Sequence, residues 1–537
     1  MTKILGLIVK RVRKPVKGTA GFPLHPFVMA IFPIIFLYSR NIQEVFINST
    51  FLPTLAILFL TILVLFVLKL IFKDLRKVAI QVSFLLLLFF SYGHVVSLTK
   101  DFDLKIIGFD IFQDDVFFYA WIIIALLGSF FILKIRKNFK TATTLINIIS
   151  LLLIAPSLVN ITYFSLTTSK IAFSPSNVTK ENVEDFEGAM VPKSKPDIYY
   201  IILDRYAHNE VLKNTFNFDN SAFINFLESK GFYLAPNSFA NYPKTFLSLA
   251  SSLNMSYLDF LTEQYKDSRD WTAVYPYMYD YQVWRFLKSQ GYEFLHFGDW
   301  WDPTRINKFA DKNINYYGTG IADEFTNKLL ETTFIYPLIK KDTTWYKKVR
   351  AGHLYQFDQL SKVSKEAGPK FVFAHVILPH EPYVFGKDCE PKNEKIKLGS
   401  EEEKTAYLNQ LVCTNKKITT FVNEVIKNSD PKPIIILQSD EGPFTDEFEG
   451  GVGGNIDWTK LSPTALKDHL RIMNAYLLPG DAKNILYPSI TPVNSFRVIF
   501  NEYFNTNLKL LPDKNYIFPD IDHPYIFIDV TKKLQGD

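Results

Sequence analysis

The sequence predicts a membrane-anchored α/β protein. An N-terminal bundle of about five transmembrane helices precedes one domain, in which a largely parallel sheet carries helices on both faces. Three observations lead there. The apolar residues, 48% of a 537-residue chain, crowd into the first third. Basic residues mark alternate links between the apolar stretches. After the first 195 residues, short continuous apolar runs alternate with helically spaced segments, the pattern of strands covered on both faces.

The spans fix the compartment. Five stretches, 22–38, 51–72, 78–98, 116–133 and 145–164, approach the roughly 20 residues that cross hydrocarbon. Pro33 interrupts the first. The N-terminal tail carries Lys3, Lys10, Arg11, Arg13, Lys14 and Lys17; the second and third spans are joined by KDLRK, and Lys134, Arg136, Lys137 and Lys140 lie between the fourth and fifth. The alternate links carry one arginine, Arg40, or are acidic, with Asp101, Asp103, Asp110, Asp114 and Asp115. The positive-inside rule then gives a cytoplasmic N-terminus and, after five crossings, an extracytoplasmic C-terminal domain of a multi-pass cell-membrane protein. The first span lacks a small-residue cleavage site and reads as an uncleaved anchor. The expected division is 1–164 transmembrane, 165–195 linker and 196–537 outer domain.

A net charge of +5, with no basic stripe or zinc-finger spacing, speaks against a nucleic-acid partner. The two cysteines, Cys389 and Cys413, lie where a disulfide is permitted; two unpaired small residues fit equally well.

In the outer domain DIYYIILD, ending at Asp204, reads as a strand. NSAFINFLESKGF is a helix with Gly231 as its stop, and TFLSLASSLN a short helix opened by Thr245. YDYQVWRFLKSQGY is a helix and EFLHFGD the strand after it. KFVFAHVILPH, KPIIILQSD and NAYLLPG are further strands. Polar residues gather where these strands end: Asp204, then His296 and Asp299, then His380, then Asp440 and Glu441. In open α/β sheets the ligand crevice lies beyond the carboxyl ends of the strands.

Three converging carboxylates, Asp204, Asp440 and Glu441, repel one another unless a cation neutralises them. An isolated Asp-Glu-Gly is more often a solvated turn; one that ends an apolar strand opposite Asp204 favours a divalent metal. Thr245 is a natural helix cap. It is equally a candidate nucleophile, since a hydroxyl at a helix N-terminus suits phosphate oxygens and a metal would activate it. His380, in LPHEPY, is a site candidate or a loop histidine bonded to backbone. His375 lies on its strand and reads as a packed core histidine. His296, Trp301 and Arg305, in HFGDWWDPTR, suit an anion with a glycerol- or sugar-like body, or form a salt-bridged surface loop. His208, His353, His469 and His523 carry no readable context.

Taken together, these segments resemble the alkaline-phosphatase-like superfamily in its sulfatase-type branch, within it the lipoteichoic acid synthase and phosphoethanolamine transferase group. The likeness spans most of the chain. YYIILDRY puts Asp204 at the family's first metal ligand, where lipoteichoic acid synthases use Glu. PKTFLSLASSL resembles the nucleophile segment and implies that role for Thr245. HFGDWWDPTR resembles the His/Trp/Arg substrate segment, implying His296, Trp301 and Arg305. LPHEPY resembles the His-x-Pro-aromatic motif, implying that His380 contacts the phosphoryl group. SDEG resembles the Asp-His-Gly metal motif, implying Asp440 and Glu441 as ligands beside Asp204 and Thr245.

Glu441 stands where the family carries His. The resemblance therefore implies one divalent metal in an all-oxygen site apart from any distant histidine, with Mn²⁺ or Mg²⁺ favoured over Zn²⁺. It implies a metal-dependent phosphotransferase or phosphodiester hydrolase acting on membrane-lipid or envelope-glycan head groups outside the membrane. One alternative is hydrolysis of sulfate esters, whose Cys or Ser nucleophile Thr245 cannot supply. Another is a catalytically weakened fold kept for binding lipid or a partner, for which Glu441 is the best support.

Overall fold

The computed structural model describes residues 22–42, 45, 47–99, 105–106, 109–110, 114–135, 139–170, 186, 195–316, 324–339, 344–445, 448, 456–480 and 482–535. The basic N-terminal tail, Asp101, Asp103, Arg136, Lys137 and most of the expected linker lie outside them. The chain divides into two compact units, Met1–Lys170 with Ile321–Asp342, and Ile171–Gly320 with Thr343–Asp537.

The first unit holds helices α1 (His25–Arg40), α2 (Phe51–Phe72), α3 (Leu75–Thr99), α4 (Asp114–Lys134) and α5 (Lys140–Lys170). Four of them, α2 to α5, are long and apolar enough to cross a membrane. α1, with 16 residues, corresponds to the first expected span, shifted to His25–Arg40: Pro26 sits in its first turn and Asn41 caps its end. It packs against α2, α3 and α5. His25 Nδ1 pairs with Ser83 Oγ at 2.5 Å, and Ser39 O accepts from Asn160 Nδ2 at 2.8 Å. The apolar side chains of α2 turn outward instead; Phe59 is 65% and Leu70 66% exposed. In water that surface would be a large apolar patch. In hydrocarbon it is solvated, so the helices form a membrane anchor.

The second unit is built on a seven-stranded sheet: β1 (Ile198–Leu203), β2 (Tyr233–Leu234), β3 (Glu293–Phe297), β4 (Lys312–Ile314), β5 (Lys370–Val376), β6 (Ile434–Gln438) and β7 (Asn474–Leu477), in the order β2-β7-β6-β1-β5-β3-β4. β1 runs parallel to β5 and β6, and β3 to β4 and β5; β7 is antiparallel to both β6 and β2. Every residue of β1, β5 and β6 is buried, which is why these segments read as unbroken apolar runs. Alternation splits β1 between two cores: Tyr200 and Ile202 face one, Ile201 and Leu203 the other. Helix α6 (Thr245–Asn254) packs in the first core and α8 (Glu401–Asn428) in the second, with α7 (Thr344–Val363) beside α8 and α9 (Pro492–Phe504) against α6.

Register positions the site. Ile202 pairs with His375 on one side and Gln438 on the other. The central strands therefore end level, and the residues just beyond, Asp204 and Asp440, emerge at one edge. Cys389 and Cys413 are joined in a disulfide, which decides between the two sequence readings.

Candidate metal centre

Asp204 follows the last residue of β1, and its backbone N donates to Val376 O at 3.0 Å. Asp204 lies on the Ile202 side of the strand, the face that His375 shares by register. His375 Nε2 is 3.1 Å from Asp204 Oδ2. Asp440 comes two residues after β6, and its Oδ1 accepts from the Arg205 backbone N at 3.3 Å. Asp204, His375 and Asp440 each offer a ligand atom, and these atoms all lie within 4.8 Å of one another. All three residues are buried.

Thr245 is the first residue of α6, after an extended Lys244. It is half-buried, and its hydroxyl lies near enough to the Asp440 carboxylate to favour the charged form of that group. Ser248, one turn on, fixes that approach: its hydroxyl contacts both Tyr242 O and Asp440 O at 2.8 Å.

The donor set fits a divalent cation. Asp204 Oδ1 and Asp440 Oδ2 are buried with no hydrogen-bond partner. Among the described residues neither carboxylate pairs with a lysine or arginine side chain. Burial pushes Asp204 up to about 6, Glu441 and Glu381 adding to it against the opposing charges of His380 and Arg205. Burial also pushes Asp440 up, reinforced by Asp204 and Glu441. Two acids that resist ionisation for want of a cation are relieved by one. The imidazole is oriented to join them. Thr304 Oγ1 holds His375 Nδ1 at 2.8 Å, leaving Nε2 towards the carboxylates.

Glu441 lies beside this group and outside it. Its Oε1 accepts from Arg205 Nε at 3.1 Å, and its Oε2 is 3.9 Å from His469 Nε2. Burial acts against its charge, but Lys244, His469 and Arg205 together hold the carboxyl below its usual range. Arg205 is equally committed. Its Nη1 is 2.6 Å from Glu381 Oε2, its guanidinium lies 4.4 Å over the Phe444 ring, and its backbone is left-handed at φ 59°. Glu381 falls to about 2, because Arg205 and His380 outweigh its burial. The carboxylate in the Asp-Glu-Gly turn is thus held in an arginine clamp. Gly442 completes that turn by close approach: a Cβ there would stand 2.7 Å from the carbonyl oxygens of both Asp468 and His469.

His380 is half-buried, 3.3 Å from Glu381 Oε2 through Nδ1. With Arg205, Tyr383, Phe444 and Lys404 it lines a cleft. His296 is placed differently. It is buried, stacked on Phe373, with Nε2 on Thr304 O at 2.7 Å. It reaches the centre only through Thr304 and His375. The Trp301 ring stands edge-on to His375, 5.8 Å away. Arg305 pairs with Asp302 at 2.8 Å. The structure therefore brings Asp204, Asp440, Thr245 and His375 together, sets Glu441 and His380 alongside, and puts His296, Trp301 and Arg305 behind or beside His375.

His375, Arg205 and Ser248 were missed as site residues. One signal pointed to His375. A histidine in a strand buried on both faces needs a polar partner, and the acid-ended strand of Asp204 offers one.

The Sulfatase family model matches residues 200–496, more than half of the chain. No curated protein matches it. Solved structures with a similar fold include the C-terminal periplasmic domain of EcEptC from Escherichia coli in complex with zinc (10% identity, 65% of this chain and 96% of that one, TM-score 0.42). Others are the C-terminal periplasmic domain of phosphoethanolamine transferase EptC from Campylobacter jejuni (13%, 60% and 93%, TM-score 0.39), and the lipoteichoic acid synthase LtaP from Listeria monocytogenes (13%, 65% and 86%, TM-score 0.36). With the family model covering the sheet, the Thr245 helix and the strand ends that hold the acids, this chain belongs to the sulfatase family.

Proposed function

We propose that the protein is a membrane-anchored, metal-dependent phosphotransferase or phosphodiester hydrolase acting on lipid or glycan head groups outside the cytoplasmic membrane, with Thr245 as nucleophile. One observation carries this reading: Thr245, the first residue of α6, lies near the Asp440 carboxylate of the Asp204–His375–Asp440 group. The alternating charge of the links between spans supports the extracytoplasmic placement.

A divalent cation held by Asp204, Asp440 and His375 would supply positive charge to the phosphoryl oxygens and to Thr245 Oγ1. The His375 nitrogen brings Zn²⁺ level with Mn²⁺, while Mg²⁺, which prefers an oxygen shell, loses ground. Thr245 Oγ1 attacks phosphorus and gives its proton to the Asp440 carboxylate. The bond from phosphorus to the leaving oxygen breaks, and His380, on the cleft wall, gives that oxygen a proton. An acceptor hydroxyl or water then attacks that phosphorus and gives its proton to His380, the bond from phosphorus to Thr245 Oγ1 breaks, and Oγ1 recovers its proton from Asp440. His375 is a ligand here and takes no proton; Thr304 keeps its ring in place.

The test is turnover of a phosphodiester by the full chain in detergent with Mn²⁺ or Zn²⁺. Thr245→Ala should lose about 10³-fold or more in rate, the scale of losing a nucleophile, and retain its metal. Undiminished turnover in that variant contradicts the reading. Metal-free parent protein with no turnover favours a binding role for the fold.

A further inference from the structure

The segment Ile321–Asp342 interrupts the α/β unit in sequence and packs with the membrane helices. Its helix, Glu324–Glu331, buries Phe325 and Leu329 in the core shared by Ala30 and Ile34 of α1, Leu65 of α2, and Val82, Leu86 and Phe90 of α3. The turn after it docks main chain to main chain. Gly93 N, on α3, donates to Thr332 O at 3.0 Å, and Phe334 N donates to Phe89 O at 2.7 Å. The Phe334 ring stacks on Phe118 of α4 at 4.7 Å and meets Tyr92 edge-on at 5.5 Å.

Gly93 permits this. A Cβ at that position would stand 2.2 Å from Glu331 O and 2.7 Å from Thr332 Cα. Both are backbone atoms, which do not swing aside as a flexible side chain would. Membrane helices use small residues where another backbone must come close. Here the approaching backbone is an excursion of the α/β unit rather than another membrane helix. Apolar side chains, two inter-segment hydrogen bonds and a stacked aromatic pair all act at one place, in surroundings where an unpaired backbone group is costly.

We infer that Ile321–Asp342 is a second membrane attachment of the α/β unit, one that holds when the connection after α5 is cut. The partner it fits is this chain's own bundle at Phe89–Gly93, not lipid. The inference is independent of the proposed chemistry. It means that the α/β unit is tied to the bundle at both ends of this excursion as well as at the end of α5.

The experiment uses the full chain with an affinity tag at the N-terminus and a specific protease site placed in the polar stretch 171–180. After complete cleavage in mild detergent, judged on a denaturing gel, the α/β fragment should co-elute with the tagged bundle. Detergent removes the bilayer, so co-elution reports protein contact rather than adsorption to lipid. Gly93→Leu should release the fragment. So should a second variant, in which a Gly/Ser bridge replaces 321–342, and this one leaves the bundle sequence intact. Free α/β fragment from the cleaved parent overturns the inference. So does co-elution that survives both variants, because the attachment then lies elsewhere.

Discussion

His375 Nε2 stands 3.1 Å from Asp204 Oδ2, across two neighbouring parallel strands, while Thr304 Oγ1 holds the other ring nitrogen at 2.8 Å. With its proton on the Thr304 side, a neutral imidazole would present its Nε2 lone pair where two carboxylates already converge. We propose that the nitrogen donor missing from the Asp-Glu-Gly turn is supplied instead by His375 on β5. Asp204→Ala and His375→Ala should each purify with little bound metal. Thr304→Val should weaken metal affinity by about 10- to 100-fold, the usual effect of removing an outer-shell partner. Elemental analysis and metal titration of the full-length variants check both. Unchanged affinity in His375→Ala would remove it from the centre.

Glu441 gives a contrasting prediction. With one oxygen on Arg205 and the other 3.9 Å from His469, we propose that it balances charge rather than binding metal. Glu441→Gln should keep metal content within about twofold of the parent. Arg205→Ala should destabilise the α/β unit by about 3–5 kcal/mol, since it leaves two carboxylates without their shared cation. Thermal unfolding in detergent measures the second effect. A large loss of metal in Glu441→Gln would instead restore the ligand role read from the sequence.

The Cys389–Cys413 disulfide spans 24 residues, linking the loop after β5 to α8. Reduction should lower stability by about 2–4 kcal/mol, seen as a fall in the unfolding midpoint with reductant. The Cys389→Ala/Cys413→Ala variant should show no such response.

Acid should weaken the fold through its buried histidines. Burial lowers both His208 and His296 to about 4, below the roughly 6.5 of an unfolded histidine. Between these values the unfolded chain binds protons that the folded chain refuses. Stability from this source is therefore full above about pH 6.5 and is lost as the pH falls to about 4. His208 caps the helix Asn209–Asn214, accepting from Glu210 N at 3.2 Å, and Asn is also a good cap. His208→Asn should thus keep the fold and make the acid limb of the stability profile shallower. An identical limb would show that His208 takes no part.

Much of this architecture was legible because the central strands are buried on both faces. DIYYIILD, KFVFAHV and KPIIILQ are unbroken apolar runs for that reason, and the acids at their ends mark the open edge of the sheet. Thr245 was legible as the opener of an apolar helix. What was hidden is what depends on register and on side-chain reach. His375 looks like core because it is core; only its pairing with Ile202 sets it beside Asp204. Arg205 carries no motif, yet its position after Asp204 and its left-handed backbone let it serve Glu381 and Glu441 at once. His296 ends its strand as the acids do, but β3 is separated from β1 by β5, so its ring meets Thr304 rather than the metal group. The excursion Ile321–Asp342 was hidden most fully, since its short apolar stretches look like those of any packed domain.

The central claim is that Thr245 carries the transferred group. It is tested most directly by the mass of the Thr245 peptide from full-length protein quenched during turnover of a lipid extract with Mn²⁺ or Zn²⁺ present. The account predicts a phosphoryl-containing increment on Thr245 that disappears on longer incubation and is absent from Thr245→Ala. Turnover that proceeds in Thr245→Ala, with the parent peptide unmodified throughout, would contradict it.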